Sequence, residues 1–131
     1  MMSSDEATIA SDIQTETDIQ RVVDAFYRDI DRDPVLGTFF AGLDMSNHLP
    51  RMYAFWSAIV FQTGTYRGRP FEAHARLAGL APHHFARWLQ RWESTVDSLF
   101  TGDRATEMKQ RAHHIATVFQ VKLGLDEPTS T

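Results

Sequence analysis

Apolar residues recur along this chain every three to four positions, and nowhere in sustained alternation. Ile19, Val22, Val23, Phe26, Tyr27 and Ile30 form one face over about four helical turns. Thr15, three residues before Asp18, has the pattern of a helix start. Asp33-Pro34 ends the run, because proline disfavours helical geometry in the residue before it. Val35 to Ala41 is a short apolar piece of roughly one or two turns. From near Ser46, the residues His48, Met52, Phe55, Trp56 and Ile59 share a second face, with Pro50 placed in the first turn, where its missing N–H costs nothing. Gly64 to Pro70 reads as a loop, followed by a brief segment around His74. Pro82 opens a third helix through Trp88, Leu89, Trp92 and Val96 to Phe100. Asp103 is the expected cap of a fourth, which carries Met108, Ala112, Ile115, Ala116, Phe119 and Leu123 and stops at Gly124.

The pattern predicts an all-α fold of four long helices and two short ones, without internal repeats. No segment has the alternation of a half-buried strand. Residues 1–14 are polar and acidic with no apolar period, and are expected to form a mobile arm. Residues 15–125 form the expected single domain, and 126–131 a frayed end.

Composition narrows the class. At 131 residues the chain has room for one core. A formal charge of −4 without a basic stripe argues against nucleic acid as a partner. Cysteine is absent, which excludes disulfides, thiolate nucleophiles and sulfur-ligated metals together. No apolar run is long enough to cross a bilayer and no signal segment opens the chain, so a soluble, cytoplasmic protein without a membrane partner is expected. Nine Phe, three Trp and three Tyr are many for this length, and good packing is the plainest account of them.

Six histidines raise the question of a metal. His83-His84 and His113-His114 are adjacent pairs, and neighbours on a helix point about 100° apart. No His-x-x-x-His or Glu-x-x-His spacing occurs, so zincin-like and di-iron sites are poorly supported. His74 differs by following a Gly/Pro loop between aromatic helices. A partly exposed loop histidine is the bland account. A haem iron, however, needs only one neutral imidazole, where zinc needs three or four ligands. Tyr27, His48 and Trp88 each have an ordinary explanation as core or helix-end residues. Together they would place O–H and N–H donors over one apolar cavity, as a pocket for bound dioxygen requires.

With these residues in view, the chain resembles the truncated haemoglobins, and most of all their group III. The resemblance spans residues 16 to 124. It rests on Ala25-Phe26-Tyr27-Arg28, Asp33-Pro34-Val35-Leu36-Gly37-Thr38-Phe39-Phe40, His48 with Phe55-Trp56, Tyr66-Arg67-Gly68-Arg69-Pro70-Phe71-Glu72-Ala73-His74, and Pro82-His83-His84-Phe85-Ala86-Arg87-Trp88-Leu89. The paired glycine motifs of groups I and II are missing, as in group III. The resemblance implies a globin-like two-over-two helical sandwich around haem b. It implies His74 as the proximal iron ligand, and Tyr27, His48 and Trp88 as the residues facing bound gas. Phe40 would pack on the porphyrin, with Met52 and Trp56 along the pocket wall. Tyr66, Arg69 and Arg76 are candidate propionate contacts, and the sequence does not choose among them. Pro50 stands close to His48, and the sequence leaves open whether His48 turns into the pocket or gates it from outside.

The implied function is binding of O2 and other diatomic ligands such as CO and NO at haem iron. Several donors around the ligand favour slow release, which suits NO or peroxide detoxification better than oxygen transport. No catalytic residue is assigned, and a reductase would be needed to keep the iron ferrous. A haem-free helical interaction or sensor module is the alternative, in which the aromatic stripes are only core and His74 a surface group.

Overall fold

The computed structural model describes residues 11–62 and 79–125. Five helices lie within them, in the order α1 (Glu16–Ile30), α2 (Gly37–Phe40), α3 (Met45–Phe61), α4 (Pro82–Leu99) and α5 (Asp103–Lys122). Among the described residues there is no strand.

Local chemistry explains most of the boundaries. Thr15 Oγ1 accepts the Asp18 N–H and the Asp18 carboxylate accepts the Thr15 N–H, a complete capping box at the start of α1. The Asp44 carboxylate accepts the Ser46 N–H to start α3. Pro82 sits in the first turn of α4, where an N–H has no intrahelical partner to lose. Gly124, at φ +74°, ends α5 in the left-handed conformation open to glycine. Pro50 departs from its expected place. Because α3 begins at Met45, Pro50 is its sixth residue, in the second turn, and the bond to the Ser46 carbonyl is lost. Both residues are exposed, so water can serve that carbonyl.

The helices pack as two pairs. α1 lies on α3 and α4 on α5, while α1 also meets α4 and α3 meets α5. The buried face of α1 is Ile19, Val22, Val23, Phe26 and Ile30, close to the face read from the sequence. At the centre, Trp92 stacks on Trp56 with ring centroids 4.6 Å apart, and its indole N–H donates to the Met108 carbonyl at 3.3 Å. A buried indole thereby keeps its hydrogen bond without leaving the core.

The end of the expected arm is built differently from its sequence reading. Ile13 is wholly buried in the core, and Asp12 performs the capping expected of Asp103. The Asp12 carboxylate accepts the backbone N–H groups of Arg104 at 2.9 Å, Ala105 at 3.0 Å and Ile13 at 2.8 Å. Arg104 Nη1 returns a bond to the Ile13 carbonyl, and the Thr101 N–H donates to the Ser11 carbonyl. One apolar residue in a polar segment has no period to reveal it, and a cap supplied from 92 residues away leaves no local signature. Burial alone would raise the Asp12 pKa. The amides of Arg104, Ala105 and Ile13 outweigh it and hold the carboxyl below its ordinary value.

This staple requires glycine at 102. Gly102 lies at φ +142°, ψ −171°, and an added Cβ would stand 2.4 Å from Asp12 Cγ. Losing the cap in Asp12→Ala is expected to cost about 1–2 kcal/mol. Gly102→Ala displaces the same carboxylate and adds backbone strain of roughly 1–3 kcal/mol, so it should be the more damaging of the two. Urea unfolding of both variants checks the order, and a Gly102→Ala protein as stable as the parent would contradict it.

Candidate functional site

Between the helices lies a pocket of about 910 Å³, including the part open to solvent. Like most small-molecule and cofactor sites, it is concave and mostly apolar. α1 supplies Tyr27, α2 Phe40, α3 His48, Met52 and Trp56, and α4 Trp88, so these six sequence-predicted residues line one cavity. His74, Tyr66, Arg69 and Arg76 lie outside the described residues.

The polar centre of the pocket is a pair. Tyr27 Oη and His48 Nε2 are 2.9 Å apart, with ring planes at 88°. His48 therefore turns inward, despite the proline two residues on. Tyr27 also meets Phe26 and Phe40 edge-on, at centroid distances of 5.0 and 5.7 Å. Burial pushes the Tyr27 phenol well above its ordinary value of 10, so it stays protonated and able to donate at any physiological pH.

Three residues from Tyr27 on α1, Asp24 accepts a hydrogen bond from the Tyr53 hydroxyl of α3. Burial, and then the Asp24 carboxylate, raise the Tyr53 pKa to about 12. The tie runs between the same two helices as Tyr27–His48 and fixes α3 against α1 near the pair.

α4 carries two pocket tryptophans, and their N–H groups separate them. The Trp92 indole is engaged by Met108, whereas no partner among the described residues takes the Trp88 N–H. Trp88 lies parallel to Trp92 with centroids 6.2 Å apart, so the core stack fixes the plane of its ring.

A buried ion pair holds α4 in place, and sequence reading did not find it. The Asp33 side chain is fully buried between α1 and α2. Its Oδ1 accepts the N–H groups of Val35 at 2.8 Å and Leu36 at 3.0 Å; its Oδ2 accepts Arg87 Nε at 2.8 Å and Arg91 Nε at 2.6 Å. Burial by itself would raise this carboxyl. The Leu36 amide, Arg91, the Val35 amide and Arg87 together drive it far below the ordinary carboxylate range. Arg87 and Arg91 flank Trp88 on α4, so one carboxylate ties the turn that precedes Phe40 to the wall that bears Trp88. The four-residue spacing of the arginines, on the helix that carries the two tryptophans, was the only sequence signal.

His84, Phe39, Phe85, Ile115 and Phe119 also line the pocket and were not singled out from sequence as wall residues. Among the described residues no three of His, Asp and Glu gather as a metal-binding cluster. The described wall is mostly apolar, with a few donors on one side.

Comparison with known proteins agrees with this geometry. The family model for bacterial-like globins matches residues 8–121. The chain belongs to the bacterial-like globin family. It is 25% identical over 108 residues to the group 3 truncated hemoglobin ctb of Campylobacter jejuni, covering 78% of this chain and 85% of that one. The crystal structure of a group III truncated hemoglobin from Campylobacter jejuni superposes with a TM-score of 0.78 at 24% identity, over 88% of this chain and 95% of that chain. The fold is therefore the all-α globin fold, and the resemblance to group III stands. Globin membership carries haem-based binding of diatomic ligands in general. No helix among the described residues is long and apolar enough to cross a membrane.

Proposed function

We propose that this pocket would hold haem b with His74 as the proximal iron ligand, and that bound O2, CO or NO would face Tyr27, His48 and Trp88. The observation that carries the reading is the Tyr27–His48 pair, set 2.9 Å apart within a mostly apolar wall. The haem iron supplies the ligand-binding and redox chemistry; the chain supplies donors, shape and exclusion of water.

The pair can work in one arrangement. If Nε2 of His48 carries the proton, it donates to the Tyr27 oxygen and leaves the Tyr27 O–H to donate into the pocket. In the opposite tautomer the phenol hydrogen points at His48 and is withheld from the ligand. His48 thus sets whether Tyr27 is available, a positioning role in addition to any direct contact. The Trp88 indole N–H is a second donor. Such a donor set slows release of a partly negative ligand and suits reaction with NO or peroxide better than oxygen transport, with a separate reductase to return the iron to the ferrous state. A cytoplasmic setting fits this chemistry.

The test is an absorption spectrum of purified protein supplied with haemin, taken ferric, dithionite-reduced and CO-bound, beside a His74→Ala variant. The expected result is a Soret band that shifts on reduction and on CO binding, and is lost or altered in the variant. Failure to take up haemin would leave a haem-free helical interaction or sensor module as the better account.

A further inference from the structure

We propose that His84 receives a carboxylate of the cofactor, so that the acidic edge of the haem turns toward the start of α4. The inference rests on the haem reading above. Among the described residues, three lining side chains carry an imidazole or a hydroxyl: Tyr27, His48 and His84. The first two bond to each other. His84 Nδ1 accepts the Ala81 N–H at 2.9 Å, which places the ring proton on Nε2. No acceptor for that Nε2–H is found among the described residues.

The surroundings of His84 suit a carboxylate edge. Its ring is half-buried on the pocket wall, held edge-on against Phe39 at 4.8 Å, while the adjoining Pro82 and His83 are exposed. Here the lining reaches solvent, where an ionised group keeps part of its hydration. Apart from the Trp88 N–H, which the haem reading assigns to the bound gas, the remaining α4 and α5 lining, Phe85, Trp92, Ile115, Ala116 and Phe119, offers a carboxylate no free donor. Among the described residues no Asp or Glu lines the pocket to repel one. The His83 ring, 4.0 Å away by centroids, adds a second imidazole on the solvent side. Burial, and then His83, lower the His84 pKa, so the ring acts as a neutral donor at physiological pH.

The test compares haemin with haemin dimethyl ester, which keeps the macrocycle and loses both carboxylate charges. Each is loaded into the parent, His84→Leu and His84→Gln, and its transfer to excess apomyoglobin is followed in the Soret region. Leu fills the site without a donor, whereas Gln keeps an N–H. His84→Leu is expected to speed haemin loss roughly tenfold, the lower range for a hydrogen bond to a charged group because the site is partly hydrated. It should leave loss of the ester at the parental rate, and Gln should restore near-parental retention of haemin. An equal acceleration with both haems would overturn the proposal, since His84 would then act through packing or its bond to Ala81. Unchanged haemin loss would overturn it as well. If the parent releases the ester too fast to follow, the Gln variant decides: loss as fast as in Leu overturns the proposal, and near-parental loss supports it. Failure of the parent to bind either haem refutes the haem reading itself and is read separately, from the parent's spectrum.

Discussion

Tyr27→Phe is expected to speed dioxygen release from the ferrous protein about ten- to a hundredfold. The estimate follows from the net worth of a hydrogen bond to a charged acceptor, about 1.5–3 kcal/mol, at roughly 1.4 kcal/mol per decade of rate or affinity. Phenylalanine keeps the edge contacts with Phe26 and Phe40, so the change is confined to the hydroxyl. Binding of CO, which carries less negative charge on its outer atom, should change far less. His48→Leu should release dioxygen faster than the parent but more slowly than Tyr27→Phe, because it removes the group that orients the phenol. The double variant should fall short of the product of the single effects, since both act through one bond. Because burial holds the Tyr27 pKa above 10, its ionisation should leave no mark on the release rate at any lower pH. Stopped-flow displacement of O2 by CO measures all of these. An unchanged rate in Tyr27→Phe would show that the hydroxyl does not face the ligand.

Asp33→Ala is expected to lower stability by about 3 kcal/mol, the low end of the range for breaking a buried ion pair. The low end applies because Arg87 and Arg91 are 32% and 37% exposed and can turn to water once the carboxylate is gone. The amides of Val35 and Leu36 would also lose their acceptor. Arg87→Ala and Arg91→Ala should each cost less, since the other guanidinium remains. The pH dependence has a definite sign. The folded carboxyl lies below its ordinary value of 3.8, so its contribution is complete above that pH and fades as pH falls towards the folded value. The stability difference between parent and Asp33→Ala should therefore be constant at neutral pH and shrink in acid. Urea unfolding at several pH values checks this, and a difference that grows on acidification would contradict it. The same variant should loosen the wall that carries Trp88, so its O2 release should also quicken.

Much of this protein is written locally. The amphipathic faces of α1 and α3, the Thr15–Asp18 capping box, the proline at the start of α4 and the glycine after α5 follow from helical periodicity and end chemistry. Both are readable within a few residues. The same periodicity put Tyr27 and His48 on inward faces, and the family resemblance supplied the roles proposed for them. Pro50 lies in the second turn because the Asp44 cap starts α3 at Met45, whereas a first-turn place would have needed the helix to begin after Ser46.

What the tertiary structure alone decided are the ties between distant segments. Asp33 meets Arg87 and Arg91 across 54 and 58 residues, and Asp12 reaches the start of α5 across 92. His84 becomes a wall residue only when α4 closes on Phe39 of α2. A lone aspartate or histidine has no period and no neighbour in sequence to mark it. Its meaning is set by which groups the packed helices leave without water. The sequence by itself determined the helices, their buried faces and the family; packing decided which polar groups are held by distant segments and which are engaged with one another.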